Sequence, residues 1–148
     1  MVKRDVADLT DADYRRLLAF RTGLRRFMRW SEQQALDAGL THMQHQLLLA
    51  VRGHPDVRGP RIIEVADYLL LKHNSVVELV DRVEAMELIR RVKDEGDRRV
   101  VRLNLTEAGA QKLLHISSRT LAELQRMGAS LRALSEGLEE HSPDGKMD

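Results

Sequence analysis

The side chains with the clearest chemical potential in this sequence fall in two short stretches. Asp97, Arg98 and Arg99 stand together in a charged run. A guanidinium is a planar, permanently charged fork that matches phosphate oxygens or the acceptor edge of guanine. Upstream, Asn74, Ser75, Glu78 and Arg82 recur at spacings of three and four, which gather side chains on one side of a helix. Asn pairs bidentately with adenine, Arg pairs with guanine, Glu accepts from a cytosine amine, and Ser takes a base edge or a phosphate. Lys72 and His73 stand just before them, where a helix entrance leaves N–H groups unpaired and attracts phosphate. The chemistry on offer is recognition of a nucleic acid. A solvated helix face and a solvated turn would hold the same residues, so their meaning depends on the elements that carry them.

Those elements are legible from periodicity. Ile62 to Leu70 reads as a short amphipathic helix and Leu71 to His73 as a turn, followed by a second helix over Asn74 to Ile89. At 100° per residue Val76, Leu79, Val80, Val83 and Met86 gather on one side of that helix, and Asn74, Glu78, Asp81, Arg82 and Ala85 on the other. Glu78 and Arg82 have the (i, i+4) spacing of a helical ion pair. Ile89 to Lys93, the turn Asp94-Glu95-Gly96-Asp97, and Arg99 to Leu105 read as a two-stranded hairpin, because Val101, Leu103 and Leu105 alternate with more polar neighbours. Helix, turn, helix, hairpin is the order of a winged helix-turn-helix, whose second helix can enter a major groove while the wing reaches along the backbone. Arg90, Arg91, Lys93 and Arg102 are candidates for phosphate contacts or wing surface.

The flanking segments are long helices. Thr10 or Asp11 can cap a helix over Ala12 to about Asp37 that Gly39 ends, and Thr41 with Gln44 has the form of a capping box for a helix running through Leu47 to Val51. Pro55 and Pro60, with Gly53 and Gly59, mark the loop before the helix-turn-helix. Thr106 is placed to cap a last helix over Glu107 to about Leu138, where Leu114, Leu121, Gly128 and Ser135 alternate with Ser117, Leu124, Leu131 and Leu138 in a heptad pattern. Some 30 helical residues extend roughly 45 Å, further than a small winged-helix core covers. The seam therefore needs another surface, from a bundle within one chain or from a second copy. From residue 139 on, an acidic, polar segment with Pro143 and Gly145 is expected to be a disordered tail.

The run Asp97-Arg98-Arg99, then Val100 to Asn104, then Leu105-Thr106-Glu107-Ala108-Gly109, resembles the wing-to-last-helix signature of the MarR family of bacterial transcriptional regulators. Leu79 to Ile89 is similar to that family's recognition helix and its exit into the wing. The resemblance covers nearly the whole chain. It implies a mainly α fold with a small β-hairpin wing, a winged helix-turn-helix core over residues 40–106, and dimerisation helices over 10–39 and 107–138. It implies that Arg99 enters the minor groove with Asp97 orienting it. It also implies a homodimeric repressor on an inverted-repeat operator in double-stranded DNA, released by a small-molecule effector, with Arg26, Phe27, Trp30 and His45 as candidate pocket residues. The alternative is a winged-helix protein-interaction module without specific DNA binding.

Composition bounds these expectations. The chain has 148 residues, 32% of them charged and 3% aromatic, with no cysteine; that suits one charge-rich helical domain and excludes disulfides and thiolate chemistry. Net charge is +1, so the distribution has to decide. From Arg90 to Arg102 there are six basic residues against three acidic ones, and from Glu136 to Asp148 five acidic against one lysine. No stretch approaches the roughly 20 apolar residues of a membrane span, and a cytoplasmic location is expected. His42 and His45 have a usable metal-ligand spacing, with His54 or Glu32 to extend it, but two histidines are not a site; capping and packing roles are expected, with no metal and no cofactor. No nucleophile elbow, phosphate loop or His-Glu-x-x-His motif is present, and no enzymatic activity is expected.

Overall fold

The computed structural model describes residues 9–139, without the side chains of residues 134, 135 and 137–139. Its elements run α1 (Asp11–Asp37), α2 (His42–Gly53), α3 (Ile62–Leu69), α4 (His73–Ala85), β1 (Ile89–Lys93), β2 (Val101–Leu105) and α5 (Glu107–Glu139). The expected tail lies outside the described residues apart from Glu139, which closes α5. The described residues divide into two compact units, 31–119 and the combination of 9–30 with 120–139.

The unit 31–119 holds a continuous hydrophobic core. Leu40, Leu47 and Leu48 pack with Val65 of α3, with Val76, Val80 and Val83 of α4, with Ile89 and Leu103 of the hairpin, and with Leu113 and Ile116 of α5. The three valines of α4 follow the 3.6-residue period and are completely buried, whereas Met86, expected on the same face, is 39% exposed because the helix has already ended. β1 and β2 pair antiparallel with Ile89 opposite Leu105 and Arg91 opposite Leu103, and Leu103 is buried while Val101 and Leu105 are only half-buried.

Three helices in this unit stop by the same device. In the Schellman motif the residue just past the helix turns left-handed so that two of the last carbonyls find backbone donors. Gly39 does this after α1 (φ 82°), with Gly39 N–H donating to Leu36 O and Leu40 N–H to Ala35 O. Leu70 does it after α3 (φ 54°), with bonds to Asp67 O and, from Leu71, to Ala66 O. Glu87 does it after α4 (φ 61°), with bonds to Glu84 O and, from Leu88, to Val83 O. Only the first of the three is glycine. This is why α4 ends at Ala85 and not at Ile89: Glu87 turns the chain, and Leu88 drops into the core as the hairpin begins.

The helix starts follow the sequence closely. Thr41 and Gln44 form the capping box of α2. The Thr10 hydroxyl accepts from Asp13 N–H while the Asp13 carboxylate accepts from Thr10 N–H, so Thr10 and not Asp11 caps α1. The Thr106 hydroxyl accepts from Gly109 N–H and donates to Glu87 O, joining the start of α5 to the end of α4. α4 begins one residue earlier than expected, at His73 with Lys72 as its cap. β2 begins two residues later, at Val101, because Asp97 to Val100 close a turn in which Val100 N–H donates to Asp97 O.

In the other unit, Asp11 to Trp30 of the first helix stands with residues 120–139 of the last. Phe27 and Trp30 stack at 6.2 Å between ring centroids, and Gly23 faces Leu131, which a Cβ there would meet at an ordinary contact distance of 3.5 Å.

Candidate nucleic-acid interface

Every residue proposed from sequence for the reading face is exposed: Lys72, His73, Asn74, Ser75, Glu78 and Arg82. They lie on the entrance and outer side of α4, directly opposed to the buried valines. The Glu78–Arg82 ion pair that their spacing allows is not made. The acidic residues of α4 that do form ion pairs are Asp81 and Glu84, which clasp Arg91 of β1 at 2.6 and 2.8 Å. Arg91 N–H also donates to the Glu84 carboxylate. Burial works against the Arg91 charge, but its bonds to Asp81 and Glu84 outweigh that and hold its pKa above the ordinary value. Arg91 is thus a tie between the reading helix and the wing, and Arg82 makes no ion pair among the described residues.

At the wing tip the Arg99 side chain is 91% exposed and, among the described residues, its guanidinium meets only Asp97, with Nε 3.1 Å from Oδ1 and a terminal nitrogen 3.3 Å from Oδ2. Arg99 N–H donates to the same Oδ1. The Arg99 side-chain bond, followed by the backbone bond, holds the Asp97 carboxyl below the usual carboxylate range, so the residue stays an anion that can orient a guanidinium. Arg98 is exposed beside them. The outer side of α4 and the wing tip together present Asn, Ser, His, Lys and Arg donors to solvent with no cover from the described residues of this unit. Such a surface can pair with base edges and phosphates.

Arg102, grouped from sequence with wing-surface residues, is 13% exposed; its Nε donates to Asp94 and a terminal nitrogen to Gly59 O. It is a structural fastener, because β2 at this point faces the loop before α3. Sequence reasoning did not single out Asp56, Arg58 or Asp94: Asp56 holds Arg58 within the loop, and Arg58 bonds across the gap to Asp94. The Arg58–Asp94 pairing spans 36 residues, and no local pattern encodes it. His54 belongs to the same region: its ring meets Tyr68 Oη at 2.8 Å and the Glu64 carboxylate at 3.1 Å. Of the residues expected to line an effector pocket, Arg26, Phe27 and Trp30 lie in one unit and His45 in the other. Arg26 lines a cavity of about 570 Å³ with Arg15, Leu18, Met127 and Leu131. His45 is 3% exposed on α2, where burial, reinforced by His42, lowers its pKa and keeps the ring neutral. Among the described residues no group of three metal-ligating side chains comes together, and no helix is long and apolar enough to cross a membrane.

Residues 38–100 match the model of the MarR family. The chain is 35% identical over 82 residues to the transcriptional repressor NicR of Pseudomonas putida, a match that covers 55% of this chain and 50% of that protein. It spans about half the length of the curated relatives it matches. The structure is similar to that of AbsC, a MarR family transcriptional regulator from Streptomyces coelicolor (TM-score 0.70, 22% identity, 91% of this chain and 93% of that one). It is also similar to a mutant of S. aureus MepR bound to an oligodeoxyribonucleotide (TM-score 0.63, 22% identity, 82% and 96%). These two likenesses show the fold, and the family model spans α2, α3, α4, β1 and the wing turn. With a helix-turn-helix closed by Glu87 and a wing tipped by Arg98 and Arg99, the chain has a winged helix-turn-helix fold whose residues 38–100 are similar to the MarR family.

Proposed function

We propose that this protein is a sequence-specific DNA-binding transcriptional regulator, a homodimeric repressor that a small-molecule effector releases. The observation that carries the reading is the division of α4. Its buried valines lock it into the core, while Asn74, Ser75, Glu78 and Arg82 are exposed on the outer side and Arg99 reaches into solvent at the wing tip, held by Asp97. In this reading Lys72 and His73 meet phosphates at the helix entrance, the α4 face reads the major groove, and Asp97 aims Arg99 into the adjacent minor groove, where a narrow groove concentrates negative potential. Two-fold symmetry would then ask for an inverted repeat with half-sites about one helical turn, roughly 34 Å, apart.

The heptad seam of α5 supports dimerisation: Leu114 and Leu121 are 61% and 63% exposed in a single chain, and apolar surface of that regularity stands where a second copy would cover it. An effector would act by preferring a conformation whose reading helices are wrongly spaced, since a ligand shifts an equilibrium only by its differential affinity.

The test is selection of the purified protein against a random duplex library, followed by titration of the enriched duplex at two salt concentrations. An inverted repeat should emerge. If six to ten phosphates are neutralised, affinity should fall about 10³- to 10⁵-fold between 50 and 200 mM salt. Arg99→Ala should weaken binding roughly tenfold, within the range expected for loss of one groove contact, with the fold intact. A pool without consensus, or affinity indifferent to salt, would instead point to a protein-docking module.

A further inference from the structure

Arg99 is nearly naked, so its direction is set by whatever holds Asp97. Asp97 N–H donates to Asp94 Oδ2 at 3.0 Å, and Asp94 N–H donates to Val100 O at 2.9 Å. Asp94 is itself 7% exposed, and its second oxygen, Oδ1, accepts from Arg58 at 3.3 Å and from Arg102 Nε at 3.3 Å. One carboxylate therefore faces two ways, toward the wing turn with one oxygen and toward the loop before α3 with the other.

That loop is a firm anchor. Arg58 forks onto Asp56, with Nε 3.1 Å from Oδ1 and a terminal nitrogen 2.8 Å from Oδ2. Leu103 N–H donates to Pro60 O at 2.8 Å and the Asn104 amide to Arg58 O at 3.3 Å. Gly59 presses so closely on β2 that a Cβ there would stand 2.0 Å from Leu103 O. The loop is thus bonded to the middle of β2, and Asp94 extends its hold to the tip.

We propose that Asp94 is a positioning residue for DNA recognition: it couples the loop of residues 56–60 to Asp97 and through it sets the direction of the Arg99 guanidinium. This rests on the reading of the wing as a DNA contact. Its consequence has a sign that separates it from simple electrostatics. A carboxylate near DNA repels phosphate, so removing it should, by charge alone, tighten binding. If Asp94 positions Arg99, removing it should weaken binding, because an unheld guanidinium must be ordered at the moment of contact.

The experiment is a double-mutant cycle on the full chain, read by fluorescence anisotropy with the duplex enriched from the random library, with thermal unfolding of each variant alongside. Asp94→Ala and Arg99→Ala are each expected to bind roughly tenfold more weakly, and the double variant no more weakly than Arg99→Ala, since groups acting through one contact are not additive. Asp94→Asn keeps one acceptor oxygen for Asp97 N–H and is expected to recover part of the loss. Full affinity or tighter binding in Asp94→Ala, or losses that multiply to about a hundredfold in the double variant, would overturn the proposal while leaving the wing contact standing. Unchanged affinity in Arg99→Ala would remove the wing contact and Asp94's role with it. Should Asp94→Ala fail to fold, Arg58→Ala cuts the coupling from the loop side: a loss absent in the Arg99→Ala background supports the coupling, and a multiplicative loss overturns it.

Discussion

Replacing Leu70 with glycine should stabilise this protein, against the usual direction of a leucine-to-glycine change. Leu70 closes α3 at φ 54° and ψ 42°. In that conformation an L-residue brings Cβ too close to the following carbonyl, at about 1–2 kcal/mol, and glycine has no Cβ to clash. Two terms oppose the gain. Glycine's freer unfolded state costs about 0.5–1 kcal/mol. Leu70 is 89% exposed, so only about a tenth of the roughly 1.5–3 kcal/mol of full burial, some 0.2–0.3 kcal/mol, is lost. The balance is about 0.5 kcal/mol in favour of glycine, or roughly 1–2 °C in Tm for a chain of this size. Glu87→Gly, at φ 61°, should add a similar increment, and Gly39→Ala, at φ 82°, should subtract one of about 1 kcal/mol. The assay is urea and thermal unfolding at fixed protein concentration, with Leu70→Ala as control, because alanine trims the side chain and keeps the Cβ. A Leu70→Gly variant no more stable than Leu70→Ala would refute the left-handed conformation as the source of the effect.

Gly109→Ala should cost several kcal/mol, on the order of 3 or more, because its Cβ would lie 2.0 Å from Leu88 O in the backbone that links α4 to the wing; circular dichroism melting would show it, and a Tm within a degree or two of wild type would refute that packing. His45 gives a pH signature. Its folded-state pKa is lowered from 6.5 by burial and by His42, so the unfolded chain takes up the proton first. Wild-type stability should fall as pH drops below about 6.5 and level off once the folded-state pKa is passed, with a slope of at most about 1.4 kcal/mol per pH unit for one proton. His45→Gln should lack that component in parallel urea titrations, and identical pH profiles would refute the neutral buried ring.

The helices and the reading face were legible from local pattern because they depend on local physics. The 3.6-residue period of Val76, Val80 and Val83 fixes which side of α4 turns inward, and the opposite side is then outward whatever surrounds it. Thr41 with Gln44, and Thr106 before Gly109, satisfy helix N–H groups within three residues, so their caps could be placed from types and spacing alone. The alternation around Leu103 marked a strand, and the charged run at Asp94 to Asp97 marked its turn.

Helix ends were less legible where the sequence lacks the expected signal. Gly39 announces its left-handed turn, but Leu70 and Glu87 adopt the same conformation against their own preference, and what imposes it is the core. Leu71 and Leu88 are carried inward just beyond each turn, half-buried and buried respectively, and their burial outweighs about 1 kcal/mol of backbone strain. The fate of the arginines was the least legible of all. Arg58, Arg91, Arg99 and Arg102 are alike in sequence. Yet Arg91 is drawn to α4, Arg102 to Gly59 and Asp94, and Arg58 to Asp56 and Asp94, while Arg99 stays in solvent beside Asp97. Pattern and capping chemistry by themselves determined which segments are helix, turn and hairpin and which face of α4 is polar, because those follow from neighbours within a few residues. Only the packing of the loop and of α4 against the hairpin decided which arginines fasten the wing and which one stays in solvent beside Asp97, because ion pairs are selected by distance in space and residues 58 and 94, like 81 and 91, come within reach only in the finished fold.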